Sequence, residues 1–152
     1  MDTMNSHKTL PTTWLLIAML AILALHFLLP VSMIVPPLWN LLGLIPLALG
    51  VALNLVADGA FHRAGTTVKP FEESSSLVTT GVFGVTRNPM YLGFALILAG
   101  EAIALRSLSP YGVVIAFVIL MQTMYITVEE HMLADKFGSM WQHYANRTRR
   151  WI

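Results

Sequence analysis

A short polar run at residues 87–91 combines groups that could bind a charged ligand. Asn88 is a favoured helix N-cap residue, and Pro89 suits the first helical position, so we predict that a helix begins here. Free backbone N–H groups at such a helix start favour an anion, for example a carboxylate. Arg87 adds a guanidinium group beside them, and Tyr91 adds an aromatic face about one turn further on. An ordinary helix end at a membrane surface would also carry these residue types, so both interpretations stay open.

The carboxylate pair Glu129-Glu130 follows one hydrophobic stretch later. Adjacent carboxylates repel each other, and at the C-terminal end of a helix they also oppose the helix dipole. A cationic ligand or buried basic partners would offset this cost, whereas a solvated helix end would need neither. If both polar groups lie on the same side of a membrane, they could hold a soluble charged cofactor against a lipid-dissolved substrate.

The composition identifies the chain as an integral membrane protein. Of its 152 residues, 56% are hydrophobic and 11% are charged, and the mean hydropathy is +0.68. A soluble domain would carry about 25% charged residues. The absence of cysteine excludes a disulfide framework and thiol chemistry. The net charge of +1 suggests neither nucleic acid nor an acidic partner, and we interpret residues 1–152 as one domain.

The hydrophobic pattern predicts an all-α polytopic protein with about four transmembrane helices. The predicted spans are residues 14–29, 36–56, 89–105 and 110–128. We interpret the first span as a retained helix rather than a signal peptide. We expect Asp58-Gly59 to stop the second span and Pro46 to kink it. Residues 129–152 have an apolar helical face, so we predict an amphipathic segment at the membrane surface that Gly138 interrupts.

The basic residues predict the orientation of the spans. Eight of the nine lie on one predicted side, and Arg106 lies on the other. The eight are Lys8, Arg63, Lys69, Arg87, Lys136, Arg147, Arg149 and Arg150. Positive residues favour the cytoplasmic side, so both termini and the loop of residues 58–88 should be cytoplasmic. Short loops on the opposite side favour a compact antiparallel bundle, whose oligomeric state the sequence leaves open.

Further polar residues suggest packing more than chemistry. Glu101 lies well inside the third span, where an acidic residue can mark a substrate path, but we expect Arg106 to pair with it. The histidines have no metal-ligand spacing, so we predict no metal site. In the long loop, Gly81 and Gly84 could let the backbone approach a ligand, or could simply form turns.

Two blocks of sequence resemble the isoprenylcysteine carboxyl methyltransferase family and its phospholipid methyltransferase relatives. The first is residues 77–93, which end in Arg87-Asn88-Pro89-Met90-Tyr91-Leu92-Gly93. The second contains Glu129-Glu130, Leu133, Phe137-Gly138, Trp141 and Tyr144. Residues 65–70 also fit, so the resemblance covers roughly residues 61–152.

The resemblance implies an integral-membrane enzyme that uses S-adenosylmethionine to methylate a lipophilic acceptor, by carboxylate O-methylation or amine N-methylation. It implies that Glu130, Arg87 and Tyr91 take part in catalysis, with Glu130 as the base for an amine acceptor. The implied cofactor-binding residues are Gly81, Val85, Arg87, Asn88, Pro89, Tyr91, Leu92, Gly93, Glu129 and Glu130. Asn88 stands where better-known members have histidine, so a role that needs a proton at this position is in doubt.

Two other functions remain open from the sequence. Membrane sterol reductases look similar in their C-terminal region and use NADPH, but this chain is much shorter than those enzymes. A small non-enzymatic transporter would place Glu101 on its substrate path.

The compact chain suggests a prokaryotic inner membrane, with the lipid bilayer and a lipophilic substrate as partners. The sequence does not identify the acceptor.

Overall fold

The computed structural model describes residues 9–152, which are helical without a regular β-strand in that range. The helices are α1 (Pro11–Leu28), α2 (Leu44–Arg63), α3 (Pro89–Leu105), α4 (Pro110–Met121), α5 (Thr127–Phe137) and α6 (Ser139–Arg147). Short 3-10 turns cover Trp39–Gly43 and Gly81–Gly84. The all-α prediction is confirmed, and α1, α3 and α4 each begin at a proline, whose missing N–H costs nothing in a first turn.

The second span differs from the prediction at both ends. It begins with the 3-10 turn at Trp39, and α2 continues to Arg63 through the expected stop at Asp58. Asp58 and His62 lie one turn apart with 3.4 Å between Oδ2 and Nε2, and basic residues in the last turn complement the helix dipole. Pro46 falls in the first turn of α2, where no backbone hydrogen bond is lost, so the predicted mid-span kink is wrong.

The fourth span is longer than predicted and contains a π-helical turn. Helix α4 passes through the π turn Gln122–Ile126 directly into α5, so one continuous helical segment covers Pro110–Phe137. The pair Glu129-Glu130 therefore lies in the first turn of α5 and does not end the span. At Gly138 the backbone adopts φ +50°, which favours glycine, and α6 begins immediately afterwards as predicted.

Helix α3 lies at the centre of the bundle and packs against α1, α2 and α4. Its contact with α2 is close because glycines face the partner backbone at two levels. A Cβ at Gly50 would lie 2.4 Å from the carbonyl oxygen of Gly93, and one at Gly43 would lie 2.4 Å from that of Gly100. Small residues allow this approach between membrane helices. A buried cluster between α1, α3 and α4 forms the core around Ile22, Leu98 and Met121.

The two short loops at one end of the bundle are joined by backbone hydrogen bonds. The Ile34 N–H donates to the Arg106 carbonyl at 2.8 Å, and the Leu108 N–H donates to the Ser32 carbonyl at 2.9 Å. Arg106 Nε donates to the Val35 carbonyl at 2.9 Å. The expected pairing of Arg106 with Glu101 is therefore wrong, because the guanidinium group turns toward the neighbouring loop.

Three helical segments are long and apolar enough to span a membrane, and α3 is a shorter apolar helix. These three are Pro11–Leu28, Trp39–Arg63 and Pro110–Phe137. Large apolar side chains such as Phe27, Leu28 and Leu55 point outward, as in a protein surrounded by lipid. The predicted orientation in the membrane stays a prediction. Lys8, one of the basic residues on which it depends, lies outside the described residues.

Candidate functional site

A cavity of about 660 Å³ opens at the end of the bundle where α3 begins. Its wall comes from the start of α1, the end of α2, the loop of residues 67–78, the 3-10 turn Gly81–Gly84, the start of α3, helix α5 and helix α6. The sequence blocks at residues 87–91 and 129–130 therefore meet at one cavity. A volume of this size is typical of small-molecule and cofactor sites.

Helix α3 begins at the cavity, and within residues 9–152 no side chain caps its backbone donors. Asn88 occupies the N-cap position as predicted, but its side chain makes no capping hydrogen bond. Instead, its Nδ2 donates to the Arg150 carbonyl at 3.1 Å and to Glu130 Oε1 at 3.4 Å. The prediction of a side-chain cap is therefore wrong. Met90 and Tyr91, in the first turn of α3, line the cavity, where uncapped helix N–H groups favour an anion.

Glu130 is the buried centre of an ionic network whose outer member, Arg150, has a side chain that is 42% exposed. Its Oε2 accepts from Arg150 Nε at 3.0 Å and from Arg150 Nη2 at 2.6 Å. Its Oε1 lies 3.3 Å from Arg87 Nε, within ion-pair distance but without hydrogen-bond alignment. The side chain of Glu130 is 10% exposed, so these partners offset the cost of burying its charge. Both carboxylate oxygens are already engaged by groups of the protein.

Glu129 has a different environment from its neighbour. Its Oε1 accepts a hydrogen bond of 2.6 Å from the Tyr91 hydroxyl. Within residues 9–152, no basic side chain lies at ion-pair distance from Glu129. The Tyr91 ring lies near Tyr125 and Phe94, with centroid separations of 6.2 and 6.4 Å. An aromatic wall and a carboxylate with no cationic partner among residues 9–152 thus lie side by side.

Arg87 is fixed from several directions. Its Nη1 donates to the Ala145 carbonyl at 2.9 Å, and its Cζ lies 5.6 Å from the centroid of the Trp141 ring. This distance is within the range of a cation–π interaction. With the Glu130 contact, these interactions hold the guanidinium group at the cavity wall, where 13% of the side chain stays exposed.

Tyr144 ties α6 to the loop that precedes α3. Its hydroxyl donates to the Phe83 carbonyl at 2.6 Å in a buried setting. Burial raises the pKa of Tyr144 to about 12, with the nearby Arg87 charge lowering it and the Glu130 charge raising it further. The hydroxyl therefore stays protonated and keeps donating at physiological pH.

The rim of the cavity carries exposed ion pairs. Lys136 Nζ lies 3.1 Å from Glu73 Oε2, and Lys69 Nζ lies 3.2 Å from Glu72 Oε1. The hydrogen bond from Thr67 and the contact with Lys69 lower the pKa of Glu72. The first pair connects the loop of residues 67–78 to α5, and the second lies within that loop. Exposed ion pairs of this kind contribute little stability.

The predicted site residues divide into two groups. Those that line the cavity are Arg87, Asn88, Pro89, Tyr91, Glu129 and Glu130. Gly81, Val85, Leu92 and Gly93 are not among its lining residues. Val85 is largely exposed, and Gly93 faces α2, where a Cβ would meet the Asn54 side chain. The roles of this second group in cofactor binding stay predictions without support from the cavity geometry.

Sequence reasoning missed the role of the last five residues. The backbone of Arg149 pairs with Thr86 in an isolated parallel bridge, and its carbonyl accepts from the Arg87 N–H at 2.9 Å. Trp151 Nε1 donates to Gln122 Oε1 in the π turn at 2.9 Å. The cluster of basic residues near the C-terminus is visible in the sequence, where it predicts orientation but no ion pair. Its acidic partner lies 20 residues earlier in the chain.

Two comparisons with known proteins both find similarity to methyltransferases. Residues 38–140 match the family model described as phospholipid methyltransferase. The chain is also 35% identical over 110 residues to protein-S-isoprenylcysteine O-methyltransferase B from Arabidopsis thaliana, an alignment that covers 69% of this chain and 54% of the relative. The chain thus spans about half the length of the curated relative that it matches.

Proposed function

Because this chain belongs to the phospholipid methyltransferase family, we propose that it transfers a methyl group from S-adenosylmethionine to a lipophilic acceptor at the cytoplasmic face of a membrane. The observation that carries the proposal is the convergence of the α3 start and the Glu129-Glu130 pair on one cavity. The supporting fold is a bundle of apolar helices whose outward surface suits lipid.

The residues of the cavity fit such a cofactor in charge and in shape. S-adenosylmethionine carries a carboxylate, an ammonium group, a sulfonium and a flat adenine, and it supplies an activated methyl group when bound. The uncapped N–H groups of α3 and the guanidinium of Arg87 suit the carboxylate. Glu129, which has no basic partner within residues 9–152, suits the ammonium or the ribose hydroxyls. Tyr91 offers an aromatic face to the adenine or the sulfonium.

The chain's own residues contribute mainly by positioning and by shielding from water. Methyl transfer from a sulfonium needs an aligned acceptor more than an activated leaving group. The apolar residues of the cavity, among them Phe71 and Phe94, limit water around the reacting groups. A carboxylate acceptor needs no base. An amine acceptor must lose a proton, and Glu129 is better placed for this than Glu130, whose oxygens are both engaged by guanidinium groups.

Calorimetric titration of the detergent-purified chain tests cofactor binding. We expect saturable binding of S-adenosylmethionine and S-adenosylhomocysteine, and none of NADPH. Glu129→Gln keeps the shape and removes the charge, so the affinity for S-adenosylmethionine should fall by roughly tenfold. Asp58→Asn is the matched control, because Asp58 pairs with His62 on α2 and does not line the cavity. Absence of binding to folded wild-type protein would refute the proposal.

The acceptor and the membrane face need separate experiments. Transfer of a labelled methyl group into vesicles of an amine phospholipid, or onto a prenylated cysteine analogue, distinguishes N- from O-methylation. For the orientation, the chain has no native cysteine, so Ser76→Cys and Ser109→Cys introduce single labelling sites at opposite ends of the bundle. In inverted cytoplasmic-membrane vesicles, an impermeant maleimide should label the first variant and not the second, and the reverse pattern would overturn the proposed orientation.

A further inference from the structure

The C-terminal residues 148–152 lie against the start of α3 and are fixed there by several hydrogen bonds. The Arg150 carbonyl accepts from Thr86 Oγ1 at 3.2 Å and from Asn88 Nδ2 at 3.1 Å. One residue earlier, the Arg149 carbonyl accepts from the Arg87 N–H. One residue later, the Trp151 indole donates to Gln122. These contacts fix the backbone on both sides of Arg150, so its side chain has a defined direction.

The Arg150 side chain points at Glu130 from outside the cavity. It approaches one oxygen of Glu130 through two nitrogens, at 3.0 and 2.6 Å, and it does not line the cavity itself. Arg87 approaches the other oxygen from the cavity side. Glu130 is therefore held between two guanidinium groups, and it in turn holds Arg87 at the wall.

This arrangement gives the two adjacent carboxylates different roles. The charge of Glu130 is compensated within the protein, whereas Glu129 contacts only the neutral hydroxyl of Tyr91 among the polar groups of residues 9–152. A cationic ligand atom in the cavity would therefore find Glu129 uncompensated. Without Arg150, the carboxylate of Glu130 would be free to draw the Arg87 guanidinium group away from the cavity wall.

We propose that Arg150 is a positioning residue, which fixes Glu130 as an internal counter-ion and thereby leaves Glu129 and Arg87 to bind the ligand. The inference rests on the proposed function for the identity of that ligand, S-adenosylmethionine. It predicts that losing Arg150 weakens ligand binding, although Arg150 does not line the cavity. If Glu130 bound the ligand directly, losing Arg150 would release its carboxylate and strengthen binding.

The test compares Arg150→Gln, Glu130→Gln and the double variant by calorimetry with S-adenosylmethionine, well below each melting temperature. Arg150→Gln should raise the dissociation constant on the order of tenfold. The double variant should bind no more weakly than the weaker single variant, because both changes remove the same interaction. Arg150→Lys should lose only about threefold, since an ammonium replaces the two-nitrogen contact with a single one.

Arg149→Gln is the matched control. It removes the same charge one residue away, from an exposed side chain whose Nη1 donates to the Ile152 carbonyl at 3.4 Å. Its affinity should stay within twofold of wild type. A merely stabilising role for Arg150 would lower the melting temperature and leave the affinity unchanged, which would overturn the proposal, as would tighter binding. If Arg150→Gln does not fold, Arg150→Lys decides: an affinity equal to wild type overturns the proposal, and a loss not seen in Arg149→Gln supports it.

Amide hydrogen exchange without ligand provides an independent readout. Arg150→Gln should speed exchange at Arg87, whose N–H donates to the Arg149 carbonyl, and Arg149→Gln should not. Unchanged exchange at Arg87 in Arg150→Gln would contradict the positioning role. If wild-type protein does not bind S-adenosylmethionine, the proposed function fails, while this exchange experiment still tests the link between Arg150 and the start of α3.

Discussion

Gly93 provides a direct test of how α3 is held against α2. A Cβ built at Gly93 would lie 2.1 Å from Asn54 Nδ2 and 2.8 Å from the Gly50 carbonyl oxygen. Asn54 could move its side chain, but the backbone of Gly50 cannot move without separating the helices. Overpacking of this kind costs about 1–3 kcal/mol. We therefore expect Gly93→Ala to lower the melting temperature in detergent by roughly 3–10 °C relative to a matched control.

The control is Gly112→Ala, because a Cβ at Gly112 in α4 would meet no atom within 4 Å. Alanine favours a helix over glycine by up to about 1 kcal/mol, so this variant should match or exceed the wild type in stability. Combining Gly93→Ala with Asn54→Ala should recover part of the loss, since it removes the closest contact but leaves the carbonyl of Gly50. Equal melting temperatures for Gly93→Ala and Gly112→Ala would refute the packing argument.

The same variant separates two interpretations of Gly93. The family resemblance implies that it binds the cofactor, whereas its position indicates helix packing. If packing is its role, Gly93→Ala should lose stability first, and Asn54→Ala should recover part of both the stability and any lost affinity for S-adenosylmethionine. A tenfold loss of affinity at unchanged melting temperature would favour the cofactor role instead.

Four further predictions concern three side chains in the walls of the cavity. Tyr144→Phe leaves the Phe83 carbonyl without its donor, so it should cost about 1–3 kcal/mol in thermal unfolding. The pKa of Tyr144 is raised in the folded state from 10.0 to about 12, so the wild-type free energy of unfolding should fall as pH rises from 10 to 12. This decrease is measured as the difference between wild type and Tyr144→Phe. It should be absent below pH 9. Glu73→Gln should change stability by less than about 1 kcal/mol, since its pair with Lys136 is exposed, and a larger loss would show that the loop depends on it. Tyr91→Phe removes the hydroxyl that orients the Glu129 carboxylate, so it should weaken S-adenosylmethionine binding about tenfold in calorimetry. Unchanged affinity would exclude that role for the Tyr91 hydroxyl.

The two sequence blocks were sufficient to predict that the start of α3 and the Glu129-Glu130 pair lie close together, but not that the start of α1 lines the same cavity. Arg87, Tyr91 and Glu129 all line the cavity, as their residue types and their spacing around one span suggested. The sequence could not show that Asn88 turns its side chain away from the helix start, because the alternative partner, the Arg150 carbonyl, lies 62 residues later in the chain. The helix-capping preference of asparagine favoured a hydrogen bond to the backbone of α3, but the Asn88 side chain bonds to the Arg150 carbonyl instead.

The ends of the helices also show what the sequence could predict and what it could not. Proline positions alone located the starts of α3 and α4, because the missing N–H of proline is tolerated only in a first turn. In contrast, Asp58-Gly59 looked like a stop, yet α2 continues to Arg63, and Asp58 and His62 are in contact across its last turn. The helix preference of single residues is weak, and the tertiary context routinely overrides it.

The sequence by itself determined that the chain spans a membrane, that its helices are apolar, and that two polar blocks carry the family resemblance. These features depend on composition and on short-range order, which a sequence displays directly. The tertiary structure decided how Glu129 and Glu130 differ, since that difference depends on Arg150 and Arg87 reaching one carboxylate and Tyr91 reaching the other. Adjacent residues on a helix point in different directions, and only the packed neighbours determine which charge is compensated and which is left for a ligand.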